Sequence, residues 1–287
     1  MRDAMPKSFS LRFSLIGSAL LAVIAFTVAC SAPLRAPSGP KLVRVLSYNI
    51  HHGEGMDGKV DLARIAALIR RNDPDFVALQ EVDRHVTRSG KIDELDALAK
   101  GSGLHAAFGK FMDYQGGEYG LGVLSRYPVD GVRRILLPRG TREPRSALLV
   151  RVVHPGLGRI HFVCLHLDWI RDDTARFAQA QALLGALRDV KGLLILAGDF
   201  NDRPESRTLR SLTSVWSNAT KPEHARWTFP SVKPDREIDF VLYRAPRPLA
   251  ARAWVLPETV ASDHRPVLAE LRIPSGAAGA GGSLHER

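Results

Sequence analysis

The stretch LLILAGDFND, residues 193–202, joins a run of apolar residues to a short polar island. A continuous apolar run of this length is typical of a strand that is buried on both faces. Because the polar residues follow the run directly, such a strand delivers Asp199 to the rim of a sheet. We therefore expect a buried strand over Leu193–Ala197 and a polar site where it ends.

The same arrangement recurs at four other places along the chain. The polar islands there are Ser47-Tyr48-Asn49-Ile50, Gln80-Glu81-Val82-Asp83, His166-Leu167-Asp168 and Ser262-Asp263-His264. Several strands that end in polar side chains at one rim together form a site. The five islands therefore predict a single active site built from distant parts of the chain.

In their order along the chain, the islands resemble the endonuclease/exonuclease/phosphatase superfamily, which includes deoxyribonuclease I, exonuclease III and neutral sphingomyelinases. The resemblance runs from about Val43 to Ile273, and YNIHHG and PDFVALQEVDR are most similar to a short bacterial branch. It implies a four-layer α/β sandwich, in which two mostly antiparallel sheets pack face to face with helices outside. It also implies a metal-dependent hydrolase of phosphoric esters.

Composition favours one catalytic domain, which we place at residues 41–273. The chain has 287 residues, of which 45% are apolar, and the islands span nearly all of it. Its two cysteines are Cys30, which ends an apolar N-terminal segment, and Cys164, which lies inside an apolar run. We expect no disulfide between them, and we expect Cys164 to be a small buried side chain.

Strands and helices are predicted to alternate along this domain. Asp61 is a suitable N-cap for a helix that ends at Asn72-Asp73-Pro74, and Asp173–Leu187 is a second helix with one apolar face. The predicted strands cover residues 42–50, 76–81, 120–125, 146–153, 160–165, 193–197, 238–242 and 267–273.

The first thirty residues are expected to be an export signal. Three basic residues precede the uncharged stretch Phe13–Ala29. Val28-Ala29-Cys30 resembles a bacterial lipobox, which predicts a lipidated Cys30 and attachment to a membrane of the cell envelope. Small residues up to Ala32 suit an ordinary signal peptidase instead, which would give a periplasmic or secreted protein. A retained single-span anchor is the third alternative.

Residues 31–40 are predicted to be a flexible tether, and residues 274–287 a disordered tail. Removal of the signal takes away three basic residues and one acidic residue, which lowers the formal charge from +10 to +8. A basic surface favours partners that carry phosphate, such as nucleic acid or anionic lipid, although solubility alone also explains it. We expect a monomer.

Cleavage of a phosphate ester needs a hard cation, a positioned water and support for the leaving oxygen. Glu81, an acid at the end of a strand, is the best direct ligand for Mg²⁺, with Mn²⁺ as an alternative. The resemblance implies that Asn49 and Asp263 complete or flank this metal site.

Asp199 and Asn201 are two residues apart, which on an extended chain places both side chains on one side. The resemblance implies that Asp199 acts as base or orients the water, while Asn201 holds the phosphate. It also pairs His264 with Asp239, which would fix the tautomer of the ring. A turn held by side-chain hydrogen bonds is the alternative reading of residues 198–202.

Two more side chains are expected to contact the phosphate. His166 would donate to a phosphate oxygen or to the leaving group, and Tyr119 matches a tyrosine of the superfamily that contacts the phosphate. A core-edge aromatic is the alternative for Tyr119. The residues whose roles stay open are Asp168, His51, His52, Arg84 and Arg145.

The sequence indicates that a phosphate ester is cleaved, but it defines the substrate that contains this bond less well. The chain lacks the Trp-Cys-Asp-Arg signature of inositol-polyphosphate 5-phosphatases, and its basic and aromatic residues are not interleaved along one stretch. We therefore favour a lipid-linked or small phosphodiester, with an endonuclease or exonuclease acting on DNA or RNA as the alternative. A non-catalytic phosphate-binding lipoprotein on the same scaffold is the second alternative.

Overall fold

The computed structural model describes residues 40–140 and 142–274 of the chain. The predicted export signal with Cys30, nearly all of the tether and nearly all of the C-terminal tail lie outside the described residues. Within residues 40–140 and 142–274, none of the helices combines the length and the hydropathy that crossing a membrane requires.

The described residues form two sheets of six strands each. The first sheet contains β1 (Lys41–Asn49), β2 (Phe76–Arg84), β3 (His105–Tyr114), β4 (Gly117–Ser125), β11 (Ala250–Val255) and β12 (Val267–Ile273), in the order β11-β12-β1-β2-β4-β3. The second contains β5 (Val129–Leu136), β6 (Ser146–His154), β7 (Gly158–His166), β8 (Leu193–Asp199), β9 (Ser217–Asn218) and β10 (Asp239–Arg244), in the order β5-β6-β7-β8-β10-β9. The β1–β2 and β7–β8 pairs are parallel, and the other pairs are antiparallel.

Helices cover the outer faces of both sheets. They are α1 (Leu62–Asn72), α2 (Glu94–Ser102), α3 (Thr174–Leu187) and α4 (Arg207–Thr213), with single 3₁₀ turns at His51–Gly53 and Glu223–Ala225. Asp61 caps α1 as predicted, since its side chain accepts a hydrogen bond from Arg64 N. Apolar residues of α1 and α2 pack on the first sheet, and those of α3 and α4 pack on the second. The predicted four-layer sandwich is confirmed.

The inner faces of the two sheets form the central core. Phe76 of β2 stacks on Phe162 of β7, with ring centroids 5.0 Å apart. Central strands are apolar on both faces, because β1 buries Val45 between the sheets and Leu46 beneath the helices. This double burial explains the continuous apolar runs in the sequence.

All eight predicted strands are present, and each lies inside a sheet. The four strands that the sequence analysis missed, β3, β5, β9 and β11, are the four edge strands. An edge strand is less buried, so it lacks a continuous apolar run; β5, for example, exposes residues 132–134 and 136. The two missed helices, α2 and α4, contain only 9 and 7 residues.

Strand direction brings the polar islands together at one end of the sandwich. β1 and β2 carry Asn49 and Glu81 to that end, and β7 and β8 carry His166 and Asp199 there. β10 begins at the same end with Asp239, which pairs with Asp199. The first strand starts at Lys41, at the opposite end of the sandwich.

Candidate active site

Asp199, the last residue of β8, lies at the centre of the site. Its side chain is almost completely buried, with 1% of the residue exposed. Three side chains converge on its Oδ2 atom: Asn49 Nδ2 at 3.2 Å, His166 Nε2 at 3.4 Å and His264 Nε2 at 3.7 Å. Asp199 therefore connects the first sheet, the second sheet and the loop before β12.

Asp239 and His264 form the pair that the resemblance implied. His264 Nδ1 lies 3.0 Å from Asp239 Oδ2, and both residues are buried. Ser262 positions the histidine, since its hydroxyl donates to the carbonyl of Asn49 at 2.7 Å and accepts the N–H of His264 at 3.2 Å. The ring therefore stands between the carboxylates of Asp239 and Asp199.

Burial and charge together set the protonation of these groups. Burial alone would lower the pKa of His264, but the charges of Asp239 and Asp199 outweigh it and raise that pKa to about 10. Burial and the neighbouring Asp239 raise the pKa of Asp199 to about 7. Burial, with the charges of Arg145 and His264, lowers the pKa of His166 well below its ordinary value. At neutral pH, His264 is thus charged and His166 is neutral.

Glu81 reaches the site through a β-bulge. The register between β2 and β4 shifts between Leu79 and Val82, and Glu81 has a left-handed backbone with φ of 59°. Regular alternation would direct Glu81 to the helix-covered face of Leu79, whereas the extra residue of a bulge re-aims a side chain. Glu81 Oε1 instead accepts a hydrogen bond from Asn49 Nδ2 at 3.0 Å.

The predicted metal ligands are connected by hydrogen bonds through Asn49 and Ser262. Glu81 and Asp263 line the cleft, and Asn49 contacts Glu81 directly. Asp263 Oδ1 lies 3.3 Å from the hydroxyl of Ser262, which is also bonded to Asn49. Glu81 and Asp263 offer the carboxylate oxygens that Mg²⁺ prefers. The amide oxygen of Asn49, which accepts the N–H of His51, keeps a second lone pair, so the residues present fit a hard cation.

A second group, Asp199, Asp239 and His264, has potential ligand atoms within 4.8 Å of one another. Both ring nitrogens of His264 face carboxylates there, and a protonated imidazole has no free lone pair for a cation. We therefore interpret this group as a charge network and place the cation beside Glu81.

The chain turns immediately after Asp199, so the extended-chain argument for Asn201 is wrong. Asn201 has a left-handed backbone with φ of 51°, and its N–H donates to Asp199 Oδ1 at 2.8 Å. Its Nδ2 atom donates to the carbonyl of Leu167 at 3.0 Å. Both side chains still line the cleft, but a turn held by the Asp199 side chain brings them there.

The cleft has a volume of about 580 Å³ and contains side chains that the sequence analysis did not select. These additional residues are Arg88, Met112, Tyr114, Glu143, Trp169, Phe229, Arg236 and Ile238. Many of them lie in loops, where no periodicity in the sequence marks which side chains point inward.

Tyr119 and Arg145 both line the cleft. Burial, together with the charge of Glu81, raises the pKa of Tyr119 well above its ordinary value, so its hydroxyl remains a donor. Arg145 is 3% exposed and pairs with Glu143 at 3.1 Å. Its Nε and Nη1 atoms have no hydrogen-bond partner among the described residues. Buried, unpaired N–H groups of a charged side chain are costly, and a bound anion would satisfy them.

The other residues with open roles separate into two groups. His51 lines the cleft, and its N–H donates to Asn49 Oδ1 at 3.1 Å. Arg84 pairs with Asp93 and Glu118 outside the cleft lining. Two further residues make local contacts: His52 Nε2 with Glu54 Oε2, and Asp168 Oδ1 with the N–H of Ile170.

We expect the imidazole of His264 to remain protonated well above neutral pH in the metal-free protein. Asp239→Asn removes the charge that holds the proton, so burial should then lower the pKa of His264. NMR titration of the histidine rings in both proteins, with His264→Asn to assign the resonance, measures this difference. An unchanged pKa in Asp239→Asn would contradict the role assigned to the pair.

Comparisons with known proteins agree with this architecture. A model of the endonuclease/exonuclease/phosphatase family matches residues 46–264, well over half of the chain. YbhP, an uncharacterized protein of Escherichia coli strain K12, is 29% identical over an alignment of 253 residues that covers 80% of this chain and 96% of YbhP.

Solved structures show the same fold. An endonuclease/exonuclease/phosphatase from Beutenbergia cavernae superposes with a TM-score of 0.63 and 26% identity, covering 84% of this chain and 72% of its own. A mannosyl-6-phosphatase of Bacteroides thetaiotaomicron has a TM-score of 0.65 at 19% identity, and the superposition covers 80% of this chain and 99% of the phosphatase. The chain therefore belongs to the endonuclease/exonuclease/phosphatase family and is a metal-dependent hydrolase of phosphoesters.

Proposed function

We propose that the chain is an exported, Mg²⁺-dependent phosphodiesterase that acts on a lipid-linked or small phosphodiester. The observation that carries this proposal is that carboxylates and an incompletely paired guanidinium line the same cleft. Glu81 and Asp263 offer oxygen ligands, and the Nε and Nη1 atoms of the buried Arg145 have no partner among the described residues. A phosphate group can contact a cation and a guanidinium at once between such groups.

Each residue of the site has a definable part in hydrolysis. A cation held by Glu81, Asn49 and Asp263 would neutralise charge that develops on the phosphate oxygens. Asp199 receives the proton of the attacking water, since its pKa of about 7 suits a base near neutral pH. Asp199 Oδ1 accepts one hydrogen bond, from the N–H of Asn201, and a carboxylate oxygen has room for a second donor.

The cationic and neutral donors act on the phosphate. His264, held as an imidazolium by Asp239, stabilises negative charge next to Asp199. Arg145 and the hydroxyl of Tyr119 supply further donors, and Asn201 fixes the turn that holds Asp199. His166 is neutral, which lets its ring donate one hydrogen bond without adding charge to a crowded site.

One observation favours the nuclease alternative. Aromatic rings at the cleft carry arginines on their faces: Arg88 over Tyr114 at 4.8 Å, and Arg236 over Phe229 at 4.4 Å. Trp169, which is 51% exposed, has Arg142 at 5.5 Å. The fold thus interleaves basic and aromatic residues that are separate in sequence, and bases of single-stranded nucleic acid stack on such surfaces. A non-catalytic binding protein does not fit a chain of this family that keeps the whole site.

Metal dependence can be tested by hydrolysis with and without divalent cations. Hydrolysis of bis-p-nitrophenyl phosphate should require Mg²⁺ or Mn²⁺ and should stop with EDTA. Glu81→Ala, Asp199→Ala and His264→Ala should each lower turnover by at least about a hundredfold, because each removes a ligand, a base or a charge-stabilising group. Asp96→Ala, at an exposed acid of α2, is the control and should leave turnover unchanged. Full activity after chelation would refute metal dependence.

Lipid or small phosphodiesters and nucleic acids can be distinguished as substrates by comparing their rates of hydrolysis. The enzyme should hydrolyse sphingomyelin, phosphatidylinositol phosphates or small phosphodiesters faster than plasmid DNA or an abasic oligonucleotide. Assays at several salt concentrations add a physical test, because binding of a polyanion weakens steeply with salt through counterion release. Salt-sensitive nicking of DNA without turnover of lipid would overturn the preference and leave the metal site intact.

The localisation of the protein can be tested through Cys30. If Cys30 is lipidated, the full-length protein should partition with membranes, since several acyl chains anchor stably. Cys30→Ser should then release the protein or leave an unprocessed precursor. A native soluble form whose sequence begins at Ser31 or later would instead support ordinary secretion.

A further inference from the structure

A second concavity lies on the outer face of the second sheet, at the end away from Asp199. It has a volume of about 500 Å³ and is lined by β5, β6, β7 and the turn after α3. β7 runs from Gly158 to His166, so Arg159, which lines this concavity, is separated from the site by the length of the strand.

Basic side chains dominate this basic pocket, which we define by Arg133, Arg151, Arg159, His161 and Lys191. Asp189 is the one acidic residue among those that line it in the described part of the chain. Arg151 and His161 stand directly opposite each other across β6 and β7. The positive charges of Arg133, Arg151 and Arg159 gather on this face of the sheet, and like charges there lower stability, a cost that a bound anion would offset.

Much of this positive charge is not neutralised within the protein. Arg151 pairs with Asp130 at 2.8 Å, but Arg159 and Lys191 are exposed and have no ion pair among residues 40–140 and 142–274. His161 Nδ1 is buried without a hydrogen-bond partner there. Burial lowers the pKa of His161, and the charges of Arg159 and Arg151 lower it further, which reports the local positive potential.

The carbonyl groups at the C-terminus of α3 do not repel an anion in the basic pocket, because arginines cover them. Free carbonyls at a helix C-terminus carry partial negative charge and would repel it. Arg133 Nη2 donates to the carbonyl of Ala186 at 3.1 Å, and Arg244 Nη2 donates to that of Leu187 at 3.0 Å. These guanidinium groups cover the carbonyls and leave the remaining cations to face the pocket.

We propose that the basic pocket binds a phosphate group at a site separate from the catalytic cleft. Guanidinium and ammonium groups are the side chains that bind phosphate oxygens most strongly, through charge-assisted hydrogen bonds. The phosphate can belong to an anionic lipid headgroup or to a soluble molecule, since both offer the same oxygens. This site does not depend on the proposed substrate of the catalytic cleft.

The test uses the full chain in EDTA and reads the NMR signal of the His161 ring. Three probes are added: inorganic phosphate, short-chain phosphatidic acid below its micelle concentration, and short-chain phosphatidylcholine as a zwitterionic control. The pocket variant is Arg159→Gln with Lys191→Gln. Its matched control, Arg70→Gln with Lys100→Gln, makes the same change in net charge on the helices of the first sheet.

Saturable shifts of the His161 signal by inorganic phosphate or by phosphatidic acid should weaken at least about tenfold in the pocket variant, since each lost cation removes a charge-assisted bond. The control variant should bind within about twofold of the natural protein. Both variants should hydrolyse bis-p-nitrophenyl phosphate normally, which separates this site from the cleft. Comparison of the first two probes identifies the source of the phosphate. Equal weakening in both variants, or no response of His161 to either anion, would overturn the proposal.

Discussion

The site depends on one electrostatic constraint: two buried carboxylates face each other across neighbouring strands. Asp199 and Asp239 are direct partners in the antiparallel β8–β10 pair, and each is 1% exposed. Like charges in that position repel, and burial adds a desolvation cost. The imidazolium of His264 stands between them and offsets both costs. Because His264 comes from the loop before β12, the same charge balance ties the first sheet to the second.

Charge in the cleft follows from this arrangement. Glu81, Asp199 and Asp263 contribute negative groups to the cleft, its arginines and the imidazolium of His264 contribute positive charge, and His166 is neutral. A cation beside Glu81 would offset the carboxylates of Glu81 and Asp263, and a phosphate would satisfy the unpaired N–H groups of Arg145. A metal would thus balance negative groups and a phosphate would pair with positive groups of the same buried network, to which several strands contribute residues.

The sequence predicted the parts of the fold that burial encodes most strongly. The interior strands, such as β1 and β8, have continuous apolar runs, whereas the edge strands β3, β5, β9 and β11 do not. Polar islands at strand ends indicated where Asp199 and His166 meet, since strand direction alone determines this. The bulge at Glu81 and the turn at Asn201 depend on local backbone conformation that periodicity does not carry. The position of Arg145 depends on packing between distant elements, so its role stayed open.

The direction of the strands places the basic pocket and the catalytic cleft at opposite ends of the second sheet. The described chain enters the fold at Lys41, next to the β6–β7 turn, where a Cβ at Gly156 would lie 3.4 Å from Lys41 Cε. Arg159 of the basic pocket follows this turn, whereas the cleft lies at the other end of the strands. A basic pocket that holds a lipid phosphate of one bilayer therefore points the cleft away from that bilayer. If Cys30 is lipidated as proposed, ten residues, which span at most about 35 Å when fully extended, would join it to the same end of the fold. Under either attachment, a small phosphodiester in solution, one of the two substrate types proposed for the cleft, would reach it more directly than a headgroup of the anchoring membrane.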